Sequence, residues 1–201
     1  MNEKETEIKY RAVKVSRKSG LENFSQNGKP LAITLFNFWQ WSTSDLVNNA
    51  TRGILAEFIF ASALGLAEIY RVEWNAFDLI TDDGIKVEVK SAAYLQSWEH
   101  AKLSNIQFGI RPTKLLESGS ETQQAKRQAD IYVFCLLRHQ DKETLDPLNL
   151  DQWHFYILNS DVLNDMFPTQ KSIGLSSLLK AKPLEAGYNE LKYCIEKSAS
   201  K

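Results

Sequence analysis

The sequence predicts an α/β protein in which a mixed central sheet is flanked by helices. Three observations carry that expectation: a capped helical pattern over roughly residues 44 to 64, a charged β-hairpin between residues 76 and 90, and apolar runs that alternate with helix-compatible stretches toward the C-terminus.

The helix is expected because Ser42, Thr43, Ser44 and Asp45 precede an apolar-rich run that Gly65 closes. Leu46, Val47, Ala50, Ile54, Leu55, Phe58, Ala61 and Leu64 recur at intervals of three and four, which predicts a broad buried face. Glu57 lies in the most apolar turn of this helix. A carboxylate there is costly unless paired, so either Arg52 or Arg71 bridges it, or it looks out on the polar side, or it is one acid of a site.

The hairpin follows from Asp83-Gly84, a favoured turn dipeptide, with Ala76 to Ile80 and Ile85 to Val89 on either side. In the second strand Ile85, Val87 and Val89 alternate with Lys86, Glu88 and Lys90, so Glu88 and Lys90 share a face. In the first strand Asp78 interrupts an apolar run, and antiparallel pairing across the turn can bring it near Glu88. Two carboxylates and an ammonium at one edge suit metal-dependent phosphodiester cleavage. Mg²⁺ takes oxygen ligands, here from Asp78, Glu88 and the carbonyl of Val89, with waters and a substrate phosphate completing the shell. Lys90 would orient the attacking water or neutralise developing charge. The tripeptide Glu-x-Lys occurs three times, at Glu7, Glu88 and Glu190, but only the middle copy sits on a hairpin with an Asp before it.

With Glu57, Asp78 and Glu88-Val89-Lys90 in that order, the chain resembles the PD-(D/E)xK superfamily of restriction-endonuclease-like nucleases. The resemblance spans roughly residues 42 to 160 and departs at Phe77, where the family pattern has proline. It implies a restriction-endonuclease-like core of order α-β-β-β-α-β and a Mg²⁺-dependent endonuclease, with Mn²⁺ able to substitute. In it Asp78 and Glu88 are metal ligands, Lys90 is the catalytic lysine and Glu57 the accessory acid. Duplex DNA as substrate and a homodimer are further expectations of the resemblance. A family-like Gln after the lysine is matched in position by Gln96. Ser91, Tyr94, Gln96 and Trp98 are candidates for substrate contact, against edge packing as the commoner fate of aromatics. Arg52 would join them if it faces outward.

Beyond the site, Ile106 to Ile110, Ile131 to Leu137 and Trp153 to Leu158 read as strands that extend the sheet. Glu121 to Gln128 is polar and helix-compatible, either an exposed helix or a loop. Asp130 would cap the next strand or support the site. Asp161 to Met166 starts a short helix that Pro168 ends, and Leu184 to Lys197 reads as a C-terminal helix. The aromatic run Phe36 to Trp41 is expected to pack in the core rather than stack on bases. Residues 1–41 read as a polar peripheral segment and 42–201 as one globular unit.

Composition narrows the function. The chain has 201 residues, 43% hydrophobic and 24% charged, enough for a substantial core, and it lacks an apolar run of membrane-spanning length or a signal peptide, which favours a cytoplasmic protein. A net charge of −1 argues mildly against a general nucleic-acid coat, and a nuclease would need positive charge to gather locally, from Lys102, Arg111, Lys114, Lys126 and Arg127. Cys135 and Cys194 read as unpaired thiols, and three scattered histidines give no zinc spacing or His-based hydrolase. The absence of a Gly-rich phosphate loop argues against a nucleotide cofactor. The rival class is a binding module that keeps the fold with the charges as mere surface, and a second rival is an RNA or structure-specific nuclease.

Overall fold

A computed structural model describes residues 13–72, 76–113 and 125–199. The chain divides into two compact units, Met1–Gln40 and Trp41–Lys201.

In the first unit a hairpin joins β1 (Asn23–Gln26) to β2 (Lys29–Thr34), followed by α1 (Leu35–Thr43), whose last residues fall in the second unit. Asn27 and Gly28 both take positive φ, 50° and 75°, which gives the turn the twist a two-residue hairpin needs. The aromatic run was expected in the core. Instead α1 has no buried residue, and Phe36 is 53% exposed, because a two-stranded ribbon offers too little apolar area to cover it. Lys4, Lys9 and Arg11, with the Glu7 tripeptide, lie outside the described residues.

The second unit is a three-layer α/β arrangement. Its five-stranded sheet has the order β3 (Leu79–Ile80), β4 (Lys86–Ala93), β6 (Ile131–Leu137), β7 (Trp153–Asn159), β9 (Leu184–Ala186), with β4 and β6 parallel and the other pairs antiparallel. β6 is buried at every position, as its unbroken apolar run demands of a central strand. One sheet face packs on α2 (Asn49–Ala63) and α5 (Leu191–Ala199) through Val87, Val89, Val133, Phe155, Phe60 and Ile195. The opposite face packs Ala92, Tyr132, Phe134 and Leu158 beneath Phe108, Ile110 and residues of α3 (Ser160–Met166) and α4 (Leu175–Lys180). No described helix is long and apolar enough to cross a membrane.

Several sequence expectations shift by local chemistry. α2 starts at Asn49 and not near 44, since the Asp45 carboxylate accepts the N–H groups of Val47 and Asn48 and holds that stretch as a turn; Asn48 then caps the helix through Ala50 N–H. At the other end Gly65, with φ 76°, closes the helix: its N–H reaches Ser62 O and that of Leu66 reaches Ala61 O, which satisfies the last carbonyls. The buried face is Arg52, Ala56, Ile59, Phe60 and Ala61, so Ile54 and Phe58, expected inside, are 46% and 58% exposed.

β4 runs on through Ala92 and Ala93, both buried, where a strand was not expected, because small side chains fit beneath the second layer. The stretch 106–110 does form β5 (Gln107–Gly109), but it pairs with β8 (Ser172–Gly174) in a separate two-stranded sheet rather than extending the main one. The connection from β4 to β6 has no helix among its described residues; Lys126 bridges to Thr113, and Glu121 to Gln124 lie outside the described residues. The segment read as a helix from Leu184 begins as edge strand β9, with α5 starting only at Leu191, since Gly187 interrupts it.

Candidate active site

The β3–β4 hairpin builds the site. Gly84, with φ 83°, donates to Thr81 O at 2.9 Å, and Thr81 N–H returns to Ile85 O at 3.0 Å, so the turn fixes the register that pairs Leu79 with Val87. One step back along the strand, Asp78 N–H donates to Val87 O at 3.0 Å, and the Asp78 carboxylate accepts Val89 N–H at 2.7 Å. The Asp78 side chain thus replaces the backbone carbonyl that a longer β3 would have offered. A strand residue directs its N–H and C=O to the same side, so the Val89 carbonyl also faces this open edge.

Glu88 and Lys90 share the other face of β4, as the alternation predicts, and are joined by an ion pair of 2.5 Å between Lys90 Nζ and Glu88 Oε1. Glu57 reaches the same edge from α2, where it and Asp78 line one groove of about 210 Å³ with Phe58, Tyr70, Arg71 and Phe77. Arg71 grips Glu57 with both nitrogens, at 2.5 and 3.0 Å. Of the two arginines considered for Glu57, Arg71 is the partner.

The electrostatics follow from this crowding. Burial pushes the Glu88 carboxyl above its usual range, and the neighbouring Asp78 charge pushes further against the pull of Lys90. Burial likewise raises Glu57, partly offset by Arg71, with Asp78 again opposing its charge. Three acids face two cations here, so negative charge is in excess.

That balance bears on a metal. Among the described residues no three His, Cys, Asp or Glu side chains close a metal cage. Two hard carboxylates that repel one another at this edge, beside the Val89 carbonyl, are the donor set that Mg²⁺ accepts, since it retains waters and needs only one or two protein carboxylates. The residues fit the ion.

The other candidates are placed differently. Arg52 does not face outward: it is 4% exposed, and its guanidinium donates to Ser91 Oγ at 3.1 Å, Val47 O at 2.8 Å and Asn49 Oδ1 at 2.8 Å. It ties the start of α2 to β4 on the face away from Glu88 and Lys90. Ser91 is its acceptor. Tyr94 packs against the second core layer. Gln96 is buried, its amide nitrogen bracing Ala93 O and Ser104 Oγ while its amide oxygen finds no partner among the described residues. Trp98 is 51% exposed in a loop that Lys142 holds through the Trp98 carbonyl.

Asp130 caps β4, accepting Lys86 N–H at 2.8 Å. Arg127 is buried and donates to Ile110 O, Asn164 Oδ1 and Phe167 O, closing the end of α3 rather than meeting solvent. Lys114 lies outside the described residues. His100, His139 and His154 hold Lys102 O, Thr144 and Glu185, and both cysteines are free and buried.

A mixed five-stranded sheet flanked by helices, with acids, a lysine and an arginine at one edge, defines an α/β class. The chain belongs to the bacteriophage T4 endonuclease IV family, whose model matches residues 35–177. That is a family of endonucleases, and the matched range contains every acid of the edge. No curated protein matches the chain.

Proposed function

We propose that this protein is a metal-dependent endonuclease that hydrolyses DNA phosphodiester bonds, with a site of the PD-(D/E)xK kind. The observation that carries this is the placement of Asp78, Glu88 and Lys90 on one hairpin, with Asp78 held by the Val89 N–H, Lys90 ion-paired to Glu88 at 2.5 Å, and the Asp78 charge acting on Glu88. Membership of an endonuclease family supports it.

Asp78, Glu88 and the Val89 carbonyl would hold Mg²⁺, or Mn²⁺ in its place. When bound, the ion supplies a Lewis acid for the phosphate and lowers the pKa of its water. The chain's own residues do the rest. Lys90, steered by Glu88, presents an ammonium that neutralises charge building on the phosphate as the P–O bond breaks. Val89 N–H fixes the Asp78 carboxylate in one orientation, so no reorganisation is needed when substrate arrives. Arg71 keeps Glu57 ionised at the border of the groove, where it orients water.

The test is incubation of the purified protein and its Glu88→Ala variant with supercoiled, linear and single-stranded DNA and with RNA, in Mg²⁺, Mn²⁺ or EDTA, with products followed on a gel. DNA cleavage that needs both metal and Glu88 is expected. Cleavage in EDTA, or equal cleavage by the variant, refutes this site. Binding without any cleavage supports a binding module instead.

A further inference from the structure

β6 reads Ile-Tyr-Val-Phe-Cys-Leu-Leu and is buried throughout, yet it carries one hydroxyl, that of Tyr132. The residue is 4% exposed, but its hydroxyl is not a sealed orphan: among the described residues the one buried side-chain polar atom without a partner is Gln96 Oε1, so the Tyr132 oxygen lies where solvent or a ligand can reach it. A tyrosine with a buried ring usually keeps its hydroxyl for a polar partner at the edge of the apolar layer. Packing does not explain the oxygen. Phe134, the next residue on the same face, stacks on Tyr132 at 6.0 Å and does its share of the core as a plain phenyl ring.

Register explains it better. Tyr132 is the direct parallel partner of Glu88, and the alternation that sends Glu88 and Lys90 to one face sends Tyr132 and Phe134 to the same face. Glu88, Asp78 and Arg127 are all within electrostatic reach of the hydroxyl. A tyrosine hydroxyl is an O–H donor at neutral pH.

From this placement we infer that Tyr132 is a further catalytic residue, its phenol donating a hydrogen bond to a non-bridging oxygen of the phosphodiester held at Asp78, Glu88 and Lys90. The inference rests on the nuclease reading. A neutral donor is what the site otherwise lacks: Lys90 supplies a point charge already engaged by Glu88, whereas a phenol rooted in the central strand gives direction to the phosphate without adding charge. A fold-stabilising role needs only the ring, and Phe would fill that.

The test is Tyr132→Phe, which keeps the ring and removes the oxygen. Unfolding temperature should stay at the wild-type value, because no hydrogen bond of the fold is lost. Single-turnover cleavage of a DNA oligonucleotide in Mg²⁺ should fall by about 10- to 1,000-fold, the range for one donor to a charged oxygen. The same oligonucleotide with sulfur at one non-bridging position of the scissile phosphate should be cut more slowly by the wild type, and that penalty should shrink in the variant. Anisotropy of the labelled oligonucleotide in EDTA should show weaker binding by the variant. A variant that cuts at the wild-type rate overturns the inference while leaving the nuclease reading standing. A slower variant with reduced unfolding temperature and an undiminished sulfur penalty also overturns it, because the oxygen would then be structural. A wild type that cuts nothing overturns both readings and is recognised before the variant is made.

Discussion

Removing the Asp78 charge and removing the Asp78 side chain should have different consequences, and the difference follows from one hydrogen bond. The carboxylate accepts Val89 N–H at 2.7 Å, in place of a backbone carbonyl that β3 is too short to provide. In Asp78→Ala that N–H loses its partner in a half-buried strand. A hydrogen bond to a charged acceptor contributes about 1.5–3 kcal/mol. At about 2–4 °C per kcal/mol for a chain of this length, the unfolding temperature should fall by about 3–12 °C. Asp78→Asn retains an oxygen that accepts the same N–H and removes the charge that opposes Glu88 and Glu57. It should therefore unfold at or above the wild-type temperature and still fail to cleave DNA in Mg²⁺. Calorimetry of the three proteins in EDTA, beside a cleavage assay, reads both effects. Equal unfolding temperatures for the Ala and Asn variants would refute the strand-substitute role, and wild-type cleavage by Asp78→Asn would remove it from the mechanism. Alanine at this position is accordingly the wrong probe of catalysis alone.

Two further outcomes are expected. Because the folded protein holds the Glu88 carboxyl above its usual range, its charge costs stability once the pH rises past that range, and the cost vanishes as the carboxyl protonates. Glu88→Gln should thus raise the metal-free unfolding temperature at neutral pH, with the gain fading as the pH is lowered; a gain of the same size at pH 3 would contradict the assignment. Arg71→Gln removes the group that offsets burial at Glu57, so the Glu57 carboxyl rises further and protonates at higher pH. Its pH–rate profile should lose activity on the acid side at a higher pH than the wild type, and superposable profiles would separate Glu57 from the chemistry.

Much of this was open to reading in the sequence wherever local chemistry decides. Asp83-Gly84 gives the hairpin, strict alternation from Ile85 to Lys90 gives its faces, and the apolar run of 131–137 gives the buried strand. Gly65 gives the end of α2 because only a left-handed residue lets the last carbonyls bond back. One local signal went unused: Asn27-Gly28, as strong a hairpin dipeptide as the one at residue 83, turns β1 into β2.

By itself, then, the sequence determined which residues could meet along one strand and its hairpin partner: Asp78, Val89, Glu88 and Lys90 are joined by contacts no more than eleven residues apart. Everything that depends on which face of an element turns inward was decided by tertiary structure. A period of 3.6 allows more than one apolar stripe on α2, and only the sheet beneath it selects Arg52, Ala56 and Phe60 over Ile54 and Phe58. The same contact buries Arg52 on Ser91 and leaves Glu57 at the edge with Arg71. Tyr132 comes beside Glu88 through a parallel pairing that spans forty-four residues, and no local pattern encodes the register of two strands so far apart in the chain.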